Sequence, residues 1–162
     1  MVHPNICPME GRPRYHFTPP RGWMNDPNGL VYSDGEYHLF YQFNPHQPIW
    51  GPMHWGHATS TDLVHWHHLP IALRPDHLGM IFSGSVVVDH ANTARFGAGS
   101  MVAVFTHASE EGQSQSLAYS TDRGRTWTKY SRNPVLQADA QDFRDPKVRW
   151  HAPTMRWGMT LA

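Results

Sequence analysis

One block recurs in this chain at a spacing too long for a secondary-structure period and too short for a domain. Ser60-Thr61-Asp62, followed by Trp66 and Pro70-Ile71-Ala72-Leu73, returns as Ser120-Thr121-Asp122 with Trp127 and Pro134-Val135-Leu136. Asp62 to Asp122 is 60 residues and Trp66 to Trp127 is 61. Upstream, Trp55-Gly56-His57-Ala58 aligns with Ser116-Leu117-Ala118-Tyr119; downstream, residues 80–85 align with 142–147, Asp26-Pro27 and Asp145-Pro146 falling at comparable places before a strand. Between these blocks lie short β-prone runs. Leu30–Tyr32 and Tyr37–Gln42 flank an Asp34-Gly35 turn, and Trp55–Ser60, Leu69–Leu73, Met80–Asp89 and Met101–Thr106 follow. No stretch carries a helical period. Four short strands per unit, repeated, predict radial sheets and an all-β fold.

The second copy, Ser120 to Trp127, reads as an Asp-box-like turn in which Asp122 caps a hairpin and Trp127 packs between sheets. The first copy is a weaker match, with Leu63-Val64 where the glycine would stand. Counted from Asp26, two units are complete and a third opens at Asp145. A closed propeller takes at least about four blades. The 162 residues are therefore expected to hold only part of one, with residues 1–20 as an irregular, proline-rich arm and 21–162 as the incomplete propeller domain.

Charge narrows the partners. Thirteen basic and thirteen acidic side chains cancel, which gives no electrostatic case for nucleic acid or an anionic membrane surface. Thirteen histidines make the protein cationic below roughly pH 6.5. The single cysteine, Cys7, has no partner for a disulfide. The first twenty residues hold no apolar run resembling a secretory signal or a membrane span, so the expected location is cytoplasmic, with secretion open if the start lies elsewhere.

The chemistry centres on Trp23-Met24-Asn25-Asp26-Pro27-Asn28-Gly29. Pro27 restricts Asp26 to extended backbone at a strand start, and Asn28-Gly29 is expected to turn the chain. A fixed carboxylate beside an amide and an aromatic wall is a set that sugar chemistry uses. His54, His57, His65, His67 and His68 are close in sequence, but no carboxylate or cysteine completes a ligand spacing, so no metal and no cofactor are expected.

Taken with Phe40–Pro45, Trp55–Trp66, Phe82–Ser85 and Phe143–Val148, the motif resembles glycoside hydrolase family 32, the invertase, levanase and exo-inulinase family. The resemblance implies a five-bladed β-propeller, of which about two and a half blades are here, followed by a β-sandwich. It implies a retaining hydrolase that releases terminal fructose from sucrose or from levan and inulin. Asp26 resembles the family nucleophile, and Asp145 the carboxylate that binds sugar hydroxyls and stabilises the transition state. Asn25, Gln42, Trp50, Phe82, Ser83 and Arg144 resemble substrate-binding residues, Arg144 also holding Asp145 anionic. The family's acid/base glutamate lies in a Glu-Cys motif beyond Asp145-Pro146, and Glu10, Glu36, Glu110 and Glu111 do not match it. The alternative expectation is therefore an inactive fragment. A sialidase would need an arginine cluster, and the arginines here are scattered.

Overall fold

The structure, a computed structural model, describes residues 12–13, 15–140 and 142–162. Cys7, Glu10 and most of the expected N-terminal arm lie outside them. The chain is all-β. Strands β1 (Trp23–Ser33), β2 (Glu36–Asn44), β3 (His54–Ser60) and β4 (His67–Leu73) form an antiparallel sheet in chain order. A second sheet follows the same path with β5 (Met80–Asp89), β6 (Ser100–Ser109), β7 (Gly112–Ser120) and β8 (Thr128–Lys129), while β9 (Leu136–Gln137) also pairs with β7. A hairpin of β10 (Lys147–His151) and β11 (Arg156–Thr160) comes next. The first strands of the three sheets face one another, β5 packing against β1 and β10. These are two propeller blades and the leading hairpin of a third. No helix among the described residues is long and apolar enough to cross a membrane.

The 60-residue repeat corresponds to the turn joining the third and fourth strands of each blade. In both copies a serine hydroxyl donates to the aspartate, Ser60 to Asp62 at 3.0 Å and Ser120 to Asp122 at 2.7 Å. Asp62 then accepts from the backbone of Val64 and His65, and Asp122 from that of Thr126. In both copies the residue after the aspartate is a left-handed non-glycine, Leu63 at φ 66° and Arg123 at φ 60°, and the second copy adds Gly124 at φ 77°. Trp127 packs edge-on against Phe40 of the neighbouring blade, centroids 5.5 Å apart. Blade two differs in its outer strand, which is split between β8 and β9. Between them Asn133 bridges both backbone groups of Leu117 with its side-chain amide, at 2.8 Å each, in place of a strand partner.

Two expectations are corrected. Asn28-Gly29 does not turn the chain. It lies inside β1, where Asn28 pairs with Phe40 and Val31 with His38, so Gly29 and Leu30 bulge opposite one residue. Gly29, at φ 57°, suits such a bulge, and a Cβ there would lie 2.8 Å from the Phe40 ring. Nor are the two Asp-Pro pairs equivalent: Asp26-Pro27 lies within β1, whereas Asp145-Pro146 precedes β10. Pro27 is tolerated because β1 pairs on one side only, with β2.

The core lies between the blades and includes Phe40, Trp55, Ile81, Val86 and Phe105. Beside it sit two buried imidazoles, His38 Nδ1 3.0 Å from His57 Nε2, with His57 stacked on Phe40. A shared hydrogen bond needs one donor and one acceptor, so the pair cannot hold both extra protons. Burial, and then the neighbouring His38, lower the His57 pKa to about 3. The unfolded chain, by contrast, takes up that proton near pH 6.5. The resulting stability is complete above that pH and is lost as pH falls toward 3, by up to about 1.4 kcal/mol per unit. Urea midpoints at pH 7 and pH 5 should show this loss, and His57→Asn, neutral throughout, should reduce it, the remainder coming from His38, His54, His68 and His107, whose pKa burial also lowers. An unchanged slope in that variant would assign the effect to other groups.

Candidate active site

Two bulges place the carboxylate chemistry. In β1, Met24 pairs with Phe43 and Pro27 with Tyr41, so Asn25 and Asp26 together oppose Gln42. In β5, Phe82 pairs with Thr106 and Gly84 with Phe105, which leaves Ser83 as the extra residue. A bulge frees a side chain from strict alternation and re-aims it. Here the two re-aimed side chains meet: Ser83 Oγ donates to Asp26 Oδ2 at 3.1 Å, across the seam between blades. The other oxygen of Asp26 accepts from Asn25 Nδ2 at 3.2 Å, and Asn25 is held in turn by Trp23, whose indole N–H donates to Asn25 Oδ1 at 3.1 Å. Two side chains thus hold the Asp26 carboxylate, and Trp23 acts as a donor as well as a wall.

All eight residues singled out from the sequence line one open cavity of about 210 Å³: Asn25, Asp26, Gln42, Trp50, Phe82, Ser83, Arg144 and Asp145. A second opening, of about 360 Å³, continues along the inner strands and is again lined by Asp26, Ser83 and Asp145. Gln42 is buried and commits one amide hydrogen to the Ile81 carbonyl at 2.9 Å, the strand-to-strand bond that competes with donation to a ligand. The Phe82 carbonyl accepts from the Trp55 indole at 3.0 Å, fixing the backbone from which its ring enters the cavity. Trp50 is 55% exposed on its loop. That loop is shaped by buried Asn44, which donates to the Ile49 carbonyl at 2.9 Å and accepts from His46 N–H at 3.1 Å. Asn44 was not singled out from the sequence; Asn44-Pro45 opening a proline-rich segment is the Asx-turn signal that marks it.

Asp145 reaches the cavity from a left-handed backbone, φ 57°. Burial pushes its carboxyl pKa up, Arg144 opposes this, and the Asp26 charge adds to the rise. Arg144 does not outweigh burial, and its guanidinium pairs with the Asp142 carboxylate. The described glutamates lie elsewhere. Glu36 is tied to Arg125 and Arg123 at the blade rim, while Glu110 and Glu111 line a separate cavity of about 700 Å³ that holds none of the eight residues. Among the described residues no group of three or more His, Cys, Asp or Glu is placed to hold a metal.

Residues 16–162 match the model of the Glycosyl hydrolases family 32 N-terminal domain. The chain is 59% identical over 155 residues to a levanase of Bacillus subtilis, covering 93% of this chain and 23% of that protein. It is 47% identical over 161 residues to Invertase 1 of Saccharomyces cerevisiae, covering 93% of this chain and 30% of the relative. A solved β-fructofuranosidase from Schwanniomyces occidentalis, complexed with fructosyl-erythritol, superposes with a TM-score of 0.89 at 47% identity, over 93% of this chain and 31% of that one. The chain thus spans about a quarter to a third of the length of these relatives.

Proposed function

Because the chain belongs to glycosyl hydrolase family 32, as its match to the family's N-terminal domain over residues 16–162 shows, we propose that it carries the nucleophile half of a retaining β-fructosidase site. The substrates are sucrose and the fructosyl ends of levan or inulin. The observation that carries this reading is the single cavity shared by Asp26, Asp145 and six polar or aromatic neighbours. Names of relatives support it, since they include a levanase and an invertase.

In this reading Asp26 attacks the anomeric carbon of the fructofuranosyl unit, forming a glycosyl ester that water then cleaves with net retention. Asn25 and Ser83 hold both carboxylate oxygens and so fix the direction of attack. Asp145 accepts hydrogen bonds from ring hydroxyls, bonds that tighten as positive charge develops on the ring. Trp50 and Phe82 supply apolar faces against the sugar. Departure of the leaving oxygen needs a proton from a second carboxyl about 5–5.5 Å from the nucleophile. None of the described glutamates lines this cavity. The 162 residues by themselves are therefore proposed to bind sugar weakly and not to turn it over.

The test is direct. The full-length gene product, incubated with sucrose, levan and inulin, should release fructose with retained configuration by proton NMR of the first-formed anomer, while the isolated 162-residue chain should release none. Inverted product from the full-length protein overturns the mechanism, and turnover by the short chain overturns the division of roles.

A further inference from the structure

Asp145 is held by side chains of blade two that do not reach the cavity. Thr106 on β6 and Gln115 on β7 are cross-strand partners, both fully buried. The Thr106 hydroxyl donates to Gln115 Oε1 at 2.9 Å, and Gln115 Nε2 donates to the Phe143 carbonyl at 2.6 Å. A carbonyl only accepts, so the Gln115 amide has one orientation, with Oε1 turned to Thr106. Thr106 Oγ1 then accepts the backbone N–H of Asp145 at 3.2 Å. Gln113, two residues before Gln115 and hence on the same face of β7, accepts the Phe143 N–H at 2.8 Å. Both backbone groups of Phe143 and the N–H of Asp145 are thereby gripped. The grip lies next to a non-glycine residue at φ 57°, a conformation that persists only where its surroundings impose it.

We propose that Thr106 and Gln115 are positioning residues for the Asp145 carboxylate: they set its backbone, and through it the place where the sugar hydroxyls are met. The inference rests on the reading of Asp145 as the carboxylate that binds the sugar hydroxyls. Neither side chain touches substrate. Loss of the grip lets Asp145 drift by a fraction of an ångström to an ångström, and misplacement on that scale costs up to about a hundredfold in rate.

The experiment uses the full-length gene product. Thr106→Val keeps the shape of the side chain and removes both hydrogen bonds, whereas Thr106→Ser restores the hydroxyl. The expected result is a fall in kcat of about ten- to hundredfold for Thr106→Val and a value within about threefold of the parent for Thr106→Ser. In an Asp145→Ala background, Thr106→Val should cost nothing further, because the carboxylate it positions is gone. Gln115→Met, similar in length, is read in the same way if Thr106→Val does not fold. A loss that persists undiminished in the Asp145→Ala background, or a fall in melting temperature with kcat unchanged, overturns the inference. Asp145→Ala with parental turnover instead overturns the function proposed for the site, so the two failures are told apart.

Discussion

Asp26→Asn is expected to lower fructose release by the full-length protein by at least about 10⁴-fold, the scale on which loss of a nucleophile acts in other hydrolases. The amide matches the carboxylate in shape and keeps one oxygen to accept the Ser83 hydroxyl, now 3.1 Å from Asp26 Oδ2. It cannot form a glycosyl ester that water cleaves. The site on the other side matters for the fold: Asn25 Nδ2 faces Asp26 Oδ1, and an amide nitrogen there puts two donors head to head. That mismatch lies at an exposed group and is worth about 1 kcal/mol, far less than the catalytic loss. Melting temperature should therefore move little while kcat collapses. Turnover within tenfold of the parent would remove Asp26 from the chemistry, whatever cavity it lines.

The sequence disclosed those parts of the fold that are local. Ser-Thr-Asp turns recur because each closes on its own backbone within five residues, as Asp62 and Asp122 do, and so the blade repeat was readable without knowing what packs where. The Asp26 and Asp145 motifs were legible only as contiguous residue patterns that resemble those of family 32. What was hidden depends on partners far along the chain. Whether Asn28-Gly29 turns or bulges is decided by its pairing with β2, and Phe40 fills the space that a turn would have left open. The meeting of Asp26 with Ser83 needs two bulges in strands 57 residues apart. The grip on Asp145 joins Thr106 to a residue 39 positions on, and no local pattern marks a buried Thr-Gln pair as anything but strand. Arg144 shows the converse: its neighbour in sequence is Asp145, but its ion pair is with Asp142.

The seam between blades ought to be the weak point of the site, because Asp26 belongs to one sheet, Ser83 and Phe82 to the next, and Asp145 to the segment that leads into β10. Trp55 is the side chain that closes it. Fully buried on β3, it lies 5.5 Å from the Phe40 ring in its own sheet and 6.0 Å from Phe105 in the second, ring centre to ring centre. Its indole N–H donates across the seam to the Phe82 carbonyl. Trp55→Ala is expected to cost about 3–5 kcal/mol, the range for a buried aromatic whose cavity cannot fully collapse. The sheets flanking it are held by their own ladders, so little collapse is available. Trp55→Phe keeps most of the apolar area and loses the hydrogen bond, for an expected cost of about 1–2 kcal/mol. The contrast with Trp50→Ala separates packing from binding. Trp50 is exposed on its loop, so its truncation should leave stability within about 0.5 kcal/mol and act on KM instead. Urea denaturation of the three variants, followed by far-UV circular dichroism, reads these differences. A shift below about 1 kcal/mol for Trp55→Ala would mean that the two blades are joined elsewhere, and that the carboxylate and its serine donor keep their distance without the indole's bond across the seam.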